Sequence, residues 1–182
     1  MKKIIAECLP LLLLCGMGEI AAGSVLGGMG SLLHSMDGLI VLVPGIIGLR
    51  GNISGSLGSR LGSAMHLGLI TSENVLNDEL HENIRASITL SVLMAGLIAI
   101  LAYATCRILG LPSLSPLRLL AIALLTGCAS GVLQALVTVG IIALAFRREY
   151  DPDNITGPIL ATVGDVITLL CLAGSAMLVG SL

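Results

Sequence analysis

Two acidic residues sit where an acid is hard to accommodate. Asp165 lies inside the apolar run from Ile155 to Leu178, and Glu19 lies inside the run from Leu9 to Leu33. Counted from Ile155, Asp165 is about 15 Å along a helix rising about 1.5 Å per residue. That is close to the middle of a hydrocarbon layer about 30 Å thick. A carboxylate at that depth costs several kcal/mol unless water, a cation or a partner meets it, so such charges mark ion pathways by default. On a helix of about 100° per residue, Asp165 shares a face with Asn154, Pro158, Ala161, Thr162 and Thr168. Asp151 extends that face if the turn before Pro152 is helical. The face offers carboxylate, hydroxyl and amide oxygens and neither Cys nor His, a donor set that suits hard cations such as Mg2+, Ca2+ or Mn2+. Pro158 has two readings: a first-turn proline, or an interior one that frees the carbonyl of Asn154.

Glu19 and Arg50 are the other deep charges. As a structural reading they form a buried pair, since intramembrane charges tend to pair. As a functional reading Glu19 is a second cation or proton site. Five cysteines (Cys8, Cys15, Cys106, Cys128 and Cys171) are scattered without metal or redox spacing and read as small buried apolar residues.

The elements that position these residues follow from composition. Of 182 residues, 55% are hydrophobic and 11% charged. Soluble domains carry about 25% charged residues, so the chain reads as an all-α integral membrane protein. No basic stripe exists for nucleic acid, and no cofactor motif or enzyme constellation is present. Apolar runs predict five spanning helices at about 9–33, 38–70, 84–109, 117–146 and 155–178, in one membrane domain over 1–182 with no soluble domain. The N-terminal run has no small-x-small cleavage site and reads as a retained helix. Lys2, Lys3, Arg85, Arg147 and Arg148 fall on one side and Arg107 and Arg118 on the other. This places the N-terminus in the cytoplasm and the C-terminus outside.

Within the first span, Gly16, Gly23, Gly27 and Gly30 read as a packing face that also carries Glu19. In the second, Pro44-Gly45 suggests a broken or kinked start. Gly45, Gly48, Gly51, Gly55, Gly58 and Gly62 make one ridge, and Asn52, Ser56, Ser59 and Ser63 a polar one. The first suits helix packing and the second a wet path. The third span, with Asn83 as its cap, reads as scaffold. In the fourth, Thr126, Ser130, Gln134 and Thr138 recur at four-residue spacing and offer bonds to neighbouring helices. The acidic loop Thr71–Asn83 reads as solvated, or as a cation-attracting segment. One such unit is small for enclosing a path, so a homodimer is expected. In it two Asp165 carboxylates would face each other, balanced by one divalent ion.

Two stretches carry a resemblance. Residues 43–62, V-P-G-I-I-G-L-R-G-N-I-S-G-S-L-G-S-R-L-G, and 151–169, D-P-D-N-I-T-G-P-I-L-A-T-V-G-D-V-I-T-L, resemble the MgtE family of magnesium channels and its relative, solute-carrier family forty-one. The Gly-Leu-basic-Gly-Asn and Asp-Pro-Asp-Asn runs are nearer the solute-carrier branch, and the chain is similar to a single-unit prokaryotic homologue. The resemblance covers nearly the whole chain. It implies a five-helix protomer, a homodimer, a cell-membrane location and a pore lined by the second and fifth helices. It also implies Asp165 as the pore aspartate and Gly48, Gly51 and Asn52 as pore-facing residues. The large cytosolic sensor that precedes the bacterial channels has no counterpart in the few residues before Leu9. The solute-carrier proteins hold two such units where this chain holds one.

The expected function is therefore divalent cation transport, with Mg2+ as the transported ion and a metal site built from Asp165, Asn52, Gly48, Gly51, Asn154, Thr162 and Asp151. A Na+- or H+-coupled exchanger using Glu19 is the alternative. A non-transporting membrane subunit and an intramembrane aspartyl protease are more distant ones. The protease reading places Asp151 and Asp165, about 21 Å apart if helical, in a dyad that requires a few ångströms.

Overall fold

A computed structural model describes residues 2–70, 77–147 and 152–181, and among these residues no strand occurs. Six helices follow in order: α1 Lys2–Gly28, α2 Gly30–Ser35, α3 Leu39–His66, α4 Asp78–Leu109, α5 Pro116–Arg147 and α6 Pro152–Gly180. Four of them, α3 to α6, are long and apolar enough to cross a membrane, and the apolar part of α1, Leu12–Gly28, is shorter. The span read at 9–33 is divided, because α1 ends at Gly28 and α2 resumes at Gly30. Three glycines in the four residues 27–30 explain the break. Each removes about 1 kcal/mol of helix preference relative to alanine.

Helix boundaries follow local chemistry. Gly38, at φ +81°, turns the chain into α3, and a side chain there would also meet Ser113. The Leu114 amide donates to the Asp37 carbonyl at 2.8 Å, tying this turn to the α4–α5 loop. Against expectation, α3 runs unbroken through Pro44. α4 starts six residues earlier than the apolar pattern predicts. Its cap is Asn77, whose side chain accepts from the Leu80 amide, and Asn83 sits inside the helix, donating to Glu79. Asp78 and Glu79 suit a first turn, where an acid faces the positive helix end. The hydropathy run missed this turn because those residues are charged. Gly110, at φ +67°, closes α4.

The bundle is built with small residues inward. On α4 the buried stripe is Ser87, Ser91, Ala95, Ala99 and Ala102, while Leu93, Leu97, Ile100 and Leu101 point outward. That inversion suits a lipid surround, which is as apolar as leucine and rewards close backbone approach instead. Gly127 and Gly131 of α5 lie against this stripe. A Cβ on Gly127 would stand 2.6 Å from the Ala95 Cβ and 3.0 Å from the Ser91 carbonyl oxygen. Large apolar residues fill the space between α3, α5 and α6, including Leu42, Ile46, Leu119, Ile122, Leu169 and Leu172. α6 is central and touches α1, α3 and α5, whereas α1 reaches the spanning helices through α6.

The glycine face read on α1 does not pack within the protomer. Gly16, Gly23, Gly27 and Gly30 face open space, and the close approach is made by Gly18, whose hydrogen points at the Thr162 methyl. On α3 the ridge is mixed: Gly45 lies against Ile98 and Gly58 against Leu160, but Gly48, Gly51 and Gly55 are open.

Candidate functional site

α6 brings its acid to the middle of the molecule. Pro152 occupies its first position, so Pro158 is an interior proline, and it leaves the Asn154 carbonyl without the usual amide donor. The side chain of Asn154 and all of Asp151 lie outside the described residues, so their expected ligand roles rest on sequence alone. Asp165, thirteen residues into the helix, is half-buried.

Its charged neighbour is Glu19 of α1, close enough for the two carboxyl groups to interact through a hydrogen bond. The contact follows from the α1–α6 crossing. Gly18 lets α1 approach Thr162, and the next residue on α1 then faces the next turn of α6. Two carboxylates at this separation repel unless a proton or a cation lies between them. Thr162 itself is buried in the crossing, with its hydroxyl donating to the Pro158 carbonyl at 3.1 Å. It stands on the α1 side of Asp165, not in the open.

The expected ion pair between Glu19 and Arg50 is absent among the described residues. Arg50 occupies the core face of α3, in phase with Leu42, Val43, Ile46, Ile53 and Leu57, and is 1% exposed. Its Nη2 donates to the Ser130 carbonyl and to Gln134 Oε1, each at 3.4 Å, and its Nε and Nη1 have no partner among the described residues. Glu19 is on an exposed face of α1, which meets α6 rather than α3.

On the opposite side of α3, Gly48, Asn52, Ser56, Ser59 and Ser63 are exposed, with Gly51 half-buried beside them. This stripe ends in a cleft of about 240 Å³ between the end of α3 and the start of α4, where Ser59 and Ser63 meet Arg60, Glu79 and Asn83. The polar stripe and the Glu19–Asp165 pair therefore lie on different helices of one protomer, and among the described residues no third helix covers the stripe.

Among the described residues of the four-residue polar series on α5, Gln134 is the one whose side chain joins helices. Thr126, Ser130 and Thr138 donate to carbonyls four residues back on their own helix. Gln134 Oε1 accepts from Ser54 as well as Arg50, and its Nε2 donates to the Gly164 carbonyl at 2.8 Å and to the Thr168 hydroxyl at 2.7 Å. Thr168 is thereby turned to α5. The spacing singled out Gln134 but not its role. The available signal was chemical, since a buried amide beside a buried arginine is the pairing a membrane interior demands.

Comparison with known proteins gives the family. The MgtE family, described as divalent cation transporter, matches residues 43–175. Solute carrier family 41 member 2 of Macaca fascicularis is 31% identical over 169 residues, 88% of this chain and 29% of that protein. The Gallus gallus protein of the same name is 32% identical over the same length. Solute carrier family 41 member 3 of Rattus norvegicus is 31% identical over 172 residues, 89% of this chain and 36% of that protein. The chain thus spans about a third of the length of these relatives. With an acid half-buried inside a spanning helix and a family match over most of its length, the chain belongs to the MgtE family of divalent cation transporters.

Proposed function

We propose that this chain carries divalent cations, Mg2+ foremost, across a cell membrane through a path bordered by α3 and α6, with Asp165 as the ion site. In this reading residues 1–182 form one domain of five spans, α1 counted as the first, with the N-terminus cytoplasmic and the C-terminus outside. α3 and α6 are then the second and fifth. Two copies meet so that the exposed stripe of Gly48, Asn52, Ser56, Ser59 and Ser63 faces its symmetry mate. An apolar bilayer would otherwise meet that stripe, and unsatisfied polar groups in hydrocarbon are expensive. A hydrated Mg2+ suits small residues and few carboxylates, because the ion sheds its water reluctantly.

The observation that carries the proposal is the half-buried Asp165 with Glu19 against it. Two carboxylates and one divalent ion are neutral together, whereas either acid alone in that setting is not. The test is Mg2+ flux into proteoliposomes. Asp165→Ala is expected to abolish flux while the protein keeps its oligomeric state, and flux at the wild-type rate in that variant refutes the assignment.

The same contact supports a second reading, a Na+- or H+-coupled exchanger. A pair of acids is able to hold a proton or Na+ when the divalent ion is absent. Mg2+ flux driven by an imposed Na+ or pH gradient, and uncoupled from it by Glu19→Gln, favours exchange. Flux indifferent to both gradients favours a channel.

A further inference from the structure

We propose that Arg50 is a positioning residue for the Asp165 site, acting through the Gln134 side chain; this rests on the transport reading above. A side-chain amide has two N–H donors and two oxygen lone pairs. In Gln134 all four are used: Oε1 accepts from Arg50 Nη2 and Ser54 Oγ, and Nε2 donates to the Gly164 carbonyl and to Thr168 Oγ1. Reversing the amide would set its NH2 group against the guanidinium.

That reversal is opposed from both sides, because the Arg50 guanidinium only donates and the Gly164 carbonyl only accepts. Together they turn the oxygen toward α3 and the nitrogen toward α6. On the α3 side Arg50 is the group that fixes the amide, since the Ser54 hydroxyl donates or accepts by rotation. The carbonyl that Nε2 then holds belongs to the peptide unit joining Gly164 to Asp165. The amide also lies flat against Gly164, where a Cβ would stand 3.3 Å from the Gln134 Cδ, Nε2 and Oε1. Gly164 thus admits the amide at the backbone next to the acid. Arg50 sets the amide, the amide sets the peptide, and the peptide sets the direction in which Asp165 leaves α6.

The burial of Arg50 is otherwise hard to account for. Its Nε and Nη1 lack partners among the described residues, and its Nη1 lies over Gly131, where a Cβ would stand 3.5 Å away. A buried guanidinium without a carboxylate is destabilising relative to an apolar side chain of similar volume. A residue kept for packing alone would be replaceable by methionine with a gain in stability. A positioning residue would lose function in the same exchange.

The experiment measures Mg2+ uptake into proteoliposomes as a function of Mg2+ concentration. Groups that orient a metal ligand typically change affinity about ten- to a hundred-fold when removed. Arg50→Met and Gln134→Leu are each expected to raise the half-saturating concentration about ten-fold, with maximal rates within about two-fold of wild type. The double variant is expected to go no further, because both changes break one chain of contacts. Arg50→Lys restores a donor-only cation and is expected to recover part of the affinity. Wild-type half-saturation in both single variants overturns the proposal, as does full additivity in the double variant. Where Arg50→Met yields no folded protein, Gln134→Glu decides. It keeps the acceptor for Arg50, supplies the missing anion and removes the donor to Gly164. It is expected to unfold no earlier than wild type yet show raised half-saturation, and unchanged half-saturation overturns the proposal. Wild-type vesicles that carry no divalent cation overturn the transport reading and this one with it. Wild-type flux with unshifted variants overturns this one alone.

Discussion

Gly127 and Gly96 face the same α4–α5 interface from opposite sides and should respond oppositely to one methyl group. A Cβ at Gly127 would lie 2.6 Å from the Ala95 Cβ and 3.0 Å from the Ser91 carbonyl oxygen. Carbon atoms rest at about 3.5–4.0 Å, so the two helices must part by roughly 1 Å. The backbone oxygen leaves no rotamer escape. Overpacking of this kind costs about 1–3 kcal/mol, against a gain of about 1 kcal/mol for alanine over glycine within a helix. At Gly96 the nearest atoms would be the flexible Leu124 Cδ2 at 3.5 Å and Leu120 Cδ1 at 3.8 Å, which is ordinary contact. Gly96→Ala therefore takes the gain without the collision. The two variants should differ by about 1–3 kcal/mol, or about 2–12 °C in Tm at 2–4 °C per kcal/mol for a chain of this size. Thermal unfolding of both proteins in the same detergent is the assay. Gly127→Ala should melt below Gly96→Ala, and its Mg2+ half-saturation should rise because Gln134 lies two turns further along the displaced helix. A Gly127→Ala protein as stable as Gly96→Ala would refute the idea that close backbone approach holds α4 to α5.

Gly18→Val, which drives a side chain into Thr162, should remove most of the stabilisation that Mg2+ confers in thermal unfolding, while Gly16→Val, which faces open space, should leave it intact. Equal Mg2+ shifts in the two proteins would disconnect α1 from the ion site. Asn77→Ala removes both the α4 cap and the bond from Asn77 Nδ2 to the Leu69 carbonyl. A lost cap costs about 1 kcal/mol, so Tm should fall by about 2–4 °C with flux unchanged.

The four long helices were legible because hydropathy is a one-dimensional property, and each of these segments carries its signal alone. The apolar pattern failed where residues serve the backbone instead of the lipid. It missed Asp78 and Glu79 because a helix start favours acids, and it joined 9–33 because glycine is neutral in hydropathy but weak in a helix. Facing was harder to read than extent. Gly16, Gly18 and Gly23 look alike in sequence, and only the path of α6 decides that Gly18 is the one pressed against a neighbour. Arg50 and Glu19 were both recognised as deep charges. Pairing them assumed that helices adjacent in sequence are adjacent in space, whereas α1 packs on the last helix. Asp165 stood out because no soluble element hides it, but its neighbour Glu19 is 146 positions away in the chain, and no spacing rule reaches that far.

That separation has a consequence for how the protein is made. Ribosomes add about 5–20 residues per second, and segments fold in the order they emerge. α1 is therefore synthesised roughly 7–30 s before the turn of α6 that carries Asp165. During that interval α6, the long helix on which α1 packs among the described residues, has yet to be made. Partly synthesised chains thus hold one acid of the pair and never both. A bundle without α6 lacks Asp165, and with it the carboxylate that joins Glu19 in the ion site proposed above.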